Sequence, residues 1–72
     1  MITQDDIDNW FSYHAPSPDQ IMSYEIIREQ AKELAIAMLA ACPPCADTTV
    51  AFRKLRETVM AANQAIACNS GG

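Results

Sequence analysis

Few side chains in these 72 residues carry reactive chemistry, and their spacing limits what they can do. The first group is Cys42-Pro43-Pro44-Cys45. A Cys-x-x-Cys pair supports thiol–disulfide exchange when a strand precedes it and a helix N-terminus lowers the pKa of the first thiol. Here Cys42 closes a helical pattern and no strand–helix alternation exists, so redox chemistry is not expected. A structural zinc site needs four ligands. The other soft ligands, Cys68 and His14, fall at the opposite end of the helical pattern, roughly 30 Å away at 1.5 Å of rise per residue. No metal and no cofactor is expected, and Cys42, Cys45 and Cys68 read as ordinary turn and helix residues. With one histidine, no Ser-His-Asp or HExxH spacing can be placed, and no paired carboxylates either. Both glycines lie at positions 71 and 72, which leaves no glycine-rich phosphate loop. The chain reads as a non-enzyme.

The second group suits binding. Phe11-Ser12-Tyr13-His14 stands just before a helix that carries Arg28 and Lys32 at i, i+4 spacing, on one face. Aromatic rings stack on bases and a nearby cation neutralises a phosphate, so this set is chemically suited to a nucleotide. The same Tyr13 and His14 would serve equally to pack the linker back onto the helices. A third group, Thr48, Thr49, Arg53 and Lys54, gathers hydroxyls and cations in the first turns of the last helix. Its plainer role is a capped, solvated helix start.

Three helices must position these groups. Thr3 followed by Gln4-Asp5-Asp6 is a helix start, with acidic groups at the positive end of the dipole, and Ile7, Trp10 and Phe11 share a face. This predicts a short helix over about 4–11, ended by Pro16, which drives Ala15 out of the helical region. Ser17-Pro18-Asp19-Gln20 combines an N-cap serine, proline at the first helical position and a capping-box glutamine, and opens a helix over about 18–41. Tyr24, Ile27, Ala31, Leu34, Met38 and Ala41 recur as a heptad seam along it. A third helix is expected over about 46–68, with Phe52, Leu55, Val59, Ala62 and Ile66 as its seam, and 69–72 as a tail. Two matched amphipathic helices with a short link form an antiparallel hairpin. The fold class is all-α: one domain over 1–72, with a short N-terminal helix and a long hairpin.

Composition adds a demand. Half of the residues are apolar, yet twelve are alanine, and a chain this short has little surplus once about 1.5 kcal/mol of ordering entropy per residue is subtracted. The second helix also carries Ile26, Ile36, Leu39 and Cys42 outside its seam, and the third carries Val50, Met60, Ala61 and Ala65. A helix apolar around most of its circumference must be buried on more than one side. A homo-oligomer is therefore expected. The net charge of −4 disfavours DNA or RNA polymers as partners. All five basic residues lie in two groups, Arg28 with Lys32 and Arg53-Lys54 with Arg56, which suits a small anion. Pairing of these cations with Glu25, Glu29, Glu33 and Glu57 is the competing expectation. The start is acidic where a secretory signal is basic, and no apolar run reaches the ~20 residues of a membrane span, so a cytosolic protein with no membrane contact is expected.

Phe11-Ser12-Tyr13-His14-Ala15-Pro16, the run from Tyr24 through Arg28 and Lys32 to Ala35, Cys42-Pro43-Pro44, Lys54-Leu55, and Val59-Met60-Ala61-Ala62-Asn63 follow one another in a familiar order. From Phe11 to Asn69 the chain resembles the small phage hairpin-domain proteins that sequester cyclic nucleotides against the bacterial CBASS defence. A related hairpin occurs in phage sponges that counter Thoeris. The resemblance implies a helical oligomer, typically a hexamer, that binds cyclic di- and trinucleotides without cleaving them in the host cytosol. It places Tyr13 and Arg28 at the dinucleotide, with Lys32 a turn further on; Phe11 and His14 are candidates by their residue type in the same loop. It puts trinucleotides elsewhere, with Thr48, Thr49, Arg53 and Asn69 as candidate positions. A structural hairpin without ligand, or a sponge for cyclised ADP-ribose signals, are the alternatives. The chain departs from the family pattern at Cys68, where a basic residue is common, and at Cys45, where a serine is common.

Overall fold

A computed structural model describes residues 1–69. Three helices follow one another: α1 over Gln4–Trp10, α2 over Pro18–Ala41 and α3 over Ala46–Asn69. Capping fixes both early starts. The Thr3 side chain accepts from the Asp6 N–H at 3.1 Å, and the Asp6 carboxylate accepts from the Thr3 N–H at 2.9 Å. Ser17 and Gln20 form the same reciprocal box at the start of α2, with Pro18 in the first turn. At the far end, Pro43 requires its predecessor to be extended, and Cys42 sits at φ −96°, ψ 137°. The Thr49 N–H then bonds to the Cys45 carbonyl at 3.1 Å, and α3 begins. Prolines, not a glycine, make this turn, and among the described residues no backbone has positive φ.

Two boundaries differ from the sequence expectation. Phe11 is the C-cap of α1 and lies outside it, because the chain turns there toward Pro16. Asn69 is the last residue of α3, not the first of a tail; the rest of the expected tail, 70–72, lies outside the described residues.

α2 and α3 pack side by side, and α1 lies against α3. The seam of α3 runs through Phe52, Leu55, Val59, Ala62 and Ile66, all half-buried. The seam of α2 drifts from the expected heptad. Its half-buried residues include Gln20, Tyr24, Ile27, Ala31, Ala35 and Met38, continued by the C-cap Cys42, with Ser23 beside Tyr24, while Leu34 is 51% exposed and Ala41 faces solvent. Gln20, Ala31 and Cys42 are spaced by eleven, as are Tyr24 with Ala35 and Ile27 with Met38. An eleven-residue period is about 3.67 residues per turn, closer to a straight α-helix than the 3.5 of a heptad. A heptad extrapolated from Tyr24 keeps to this row through Ala31 and first departs from it on the third turn, where it selects Leu34 and later Ala41 in place of Ala35 and Cys42.

None of the described residues is fully buried. The accessible surface is 5806 Å², roughly 1400 Å² more than a folded monomer of this mass exposes. The radius of gyration is 15.3 Å where about 11 Å is usual for this length, and the shortest dimension is 16 Å. The hairpin is thus one layer of helices. Ile26, Ile36, Leu39 and Met60 stand outward from it, with Leu39 75% and Met60 69% exposed. Among the described residues one buried acceptor, Asn63 Oδ1, has no partner.

Candidate functional site

The open end of the hairpin is tied by side-chain amides. The last carbonyls of a helix have no intrahelical donor, and α3 has no cation in its final turn to meet them. Asn9 of α1 donates its Nδ2 to the Cys68 carbonyl at 3.1 Å, and Gln20 of α2 donates its Nε2 to the Ile66 carbonyl at 3.2 Å. Gln20 therefore caps its own helix and clasps the neighbouring one. His14 Nε2 lies 2.7 Å from the Asn9 carbonyl, so that nitrogen carries the proton and donates. The Cys68 sulfur lies 4.0 Å from His14 Nε2 and 3.9 Å from the Asn9 carbonyl, and accepts from Gln64 Nε2 at 3.1 Å. These bonds fold the 11–17 linker against the base of α3. Asn9 and Gln20 were not read from the sequence as site-forming; their only sequence signals were a polar residue beside Trp10 and a capping box.

The linker presents its aromatic side chains outward. Tyr13 is 87% exposed and Phe11 similarly so, while His14 turns inward and serves as the tie. Arg28 lies ten residues into α2, about 15 Å up the axis from Pro18, and Lys32 about 6 Å further. No hydrogen bond or ion pair joins Tyr13 to either cation among the described residues. The expected pairing of cations with Glu25, Glu29, Glu33 and Glu57 is realised once among the described residues, between Lys54 and Glu57 at 3.5 Å, both exposed.

At the closed end, Leu39, Cys42, Cys45, Thr48, Thr49 and Phe52 line a cavity of about 460 Å³. Its polar groups serve the turn. Thr48 Oγ1 donates to the Pro43 carbonyl, and Thr49 Oγ1 donates to the Cys45 carbonyl at 3.3 Å. Arg53 is exposed and outside this lining, and Asn69 is at the opposite end of α3. The Cys45 thiol is held below its ordinary pKa, first by the Thr48 hydroxyl 3.4 Å away, then by the Thr48 and Asp47 backbone N–H groups. Thr48 has one hydroxyl hydrogen, so ionisation of Cys45 would draw it from Pro43. Among the described residues no group of three or more His, Cys, Asp or Glu is placed to hold a metal ion, and no helix is long and apolar enough to cross a membrane.

A single-layer helical hairpin with an outward aromatic loop and unpaired cations along its second helix presents these groups on its surface. The chain belongs to the Acb2/Tad1 hairpin-domain family: the family model described as "Acb2/Tad1, hairpin domain" matches residues 3–67, and this is the family of anti-CBASS and anti-Thoeris sponges. Comparison with curated proteins and with solved structures gives no significant match.

Proposed function

We propose that the chain is a phage immune-evasion protein that binds cyclic oligonucleotide second messengers, cyclic dinucleotides such as cGAMP and cyclic trinucleotides, and holds them without cleavage. By lowering the free messenger it keeps CBASS effectors inactive in the host cytosol. The observation that carries this reading is membership of the Acb2/Tad1 hairpin family across nearly the whole chain. It acts as a homo-oligomer, a hexamer by the family resemblance, whose binding sites lie between subunits. One feature supports that arrangement: an apolar surface left open by a single helical layer.

In the assembled site Tyr13 stacks on a base and Arg28, with Lys32, neutralises the phosphates. His14 holds the loop, and Phe11 flanks it. Thr48, Thr49, Arg53 and Asn69 remain candidate positions for a trinucleotide. Calorimetry with 3′,3′-cGAMP and with a cyclic trinucleotide tests the reading, and absence of heat and of retention with both would overturn it. A second reading, sequestration of cyclised ADP-ribose signals, is favoured by one observation: the matching family model spans both Acb2 and Tad1 hairpins. A cyclised ADP-ribose in the same calorimeter separates the two.

A further inference from the structure

On one flank of the hairpin, α2 and α3 leave a groove of about 360 Å³ whose lining includes Ala31, Lys32, Ala35, Arg56, Val59 and Met60. Its shape comes from the sequence. Ala31 and Ala35 are two of the inward residues of α2, and their single methyl groups leave a trough opposite Val59 that a larger side chain would fill. Lys32 and Arg56 stand at the rim from different helices, and Arg28 shares the Lys32 face one turn away. Three of the five basic residues of a chain with net charge −4 are thereby drawn to one flank. All three are exposed, and none belongs to the one ion pair among the described residues. Like charges so gathered repel one another, and here no carboxylate within ion-pair distance offsets them.

An apolar floor beneath converging cations is complementary to a particular chemistry. Bare phosphate would use the cations and leave the floor wet. A planar heterocycle joined to a phosphodiester uses both: the ring covers Ala31, Ala35 and the Met60 thioether, which contacts aromatic rings favourably, and the phosphate meets the rim. A guanidinium suits that rim because its fork engages two phosphate oxygens at once.

We propose that this groove is the base-and-phosphate cleft of the messenger site, with Arg56 of α3 as a binding residue beside Arg28 and Lys32 of α2. The inference rests on the cyclic oligonucleotide reading above and adds to it a third cation and a floor for the base. The exposed Tyr13 of another subunit would close the opposite face of the ring.

The test is calorimetry of the full chain with 3′,3′-cGAMP, with subunit number read in parallel by native mass spectrometry and helicity by circular dichroism. Arg56→Gln removes the fork from an exposed position, and Ala35→Leu fills the trough. Each is expected to weaken binding about ten-fold or more, for Arg56→Gln the scale of losing a charge-assisted hydrogen bond and for Ala35→Leu through the space taken from the ring, with subunit number unchanged. Lys54→Gln, at the ion-paired cation away from the groove, is expected to leave affinity within about two-fold. If Arg56→Gln and Ala35→Leu bind as the parent does while Tyr13→Ala does not, the groove proposal is overturned and the sponge reading stands. A drop in subunit number with Arg56→Gln would assign the groove to a second copy of the chain and also overturn it. A parent chain that binds no cyclic nucleotide removes both.

Discussion

Ile36 offers the most informative single substitution. It projects from the middle of α2, 59% exposed, and lines none of the grooves discussed above. If one hairpin were the complete structure, Ile36→Gln would change a surface residue and shift stability by no more than about 0.5 kcal/mol. Glutamine is, if anything, the better helix former. If neighbouring subunits cover α2, most of that side chain has burial still to gain. Full burial of an isoleucine is worth about 1.5–3 kcal/mol, so the uncovered fraction amounts to about 1–2 kcal/mol per subunit. Each subunit of a ring contributes the same loss, so dissociation should move to markedly higher protein concentration. Sedimentation velocity and thermal unfolding across a hundred-fold concentration range measure this. The parent should sediment above its 7.9 kDa chain mass and melt at a midpoint that rises with concentration. Ile36→Gln should dissociate and melt lower at the same concentration. A parent with a concentration-independent midpoint, or a variant indistinguishable from it in both assays, would refute the reasoning from open surface to assembly.

Three further outcomes are expected. Stacking contributes about 1–3 kcal/mol per base, so Tyr13→Ala should weaken dinucleotide binding ten-fold or more in calorimetry without changing helicity; unchanged affinity would remove Tyr13 from the site. His14→Ala deletes the donor to the Asn9 carbonyl, a bond of about 1 kcal/mol net. Hydrogen exchange should therefore quicken at the α1 amides and remain slow in α2 and α3, whereas unchanged α1 protection would show that His14 is not the tie. Cys45 should become reactive to iodoacetamide below the ordinary thiol range, and Thr48→Val should move its profile upward. The sign follows from the lowered pKa: the contribution to stability is present above the ordinary thiol value and is lost as pH falls through the lowered one. A Cys45 profile unchanged by Thr48→Val would contradict the role of Thr48.

The helix starts were legible because capping is local: Thr3 with Asp6 and Ser17 with Gln20 declare themselves within four residues. The α3 seam was legible because its period is a true heptad. On α2 the same template misplaced Leu34 and Ala41, since small period errors accumulate along 24 residues. Contacts across the hairpin were out of reach for a different reason. That Gln20 meets the Ile66 carbonyl, or that Lys32 shares a groove with Arg56, depends on the register of two antiparallel helices, which no local pattern specifies. Tyr13 and Arg28 could be singled out by residue type and by resemblance. Whether one site unites them depends on how copies of the chain pack, which no local pattern specifies.

The central claim, retention without cleavage, has a direct measurement. The purified chain is incubated with 3′,3′-cGAMP, freed of unbound ligand by desalting, then heat-denatured, and the released small molecules are identified by mass spectrometry. Release of the intact cyclic dinucleotide in near-stoichiometric amount per site is expected. Recovery of linear products, or of no nucleotide at all, would contradict it.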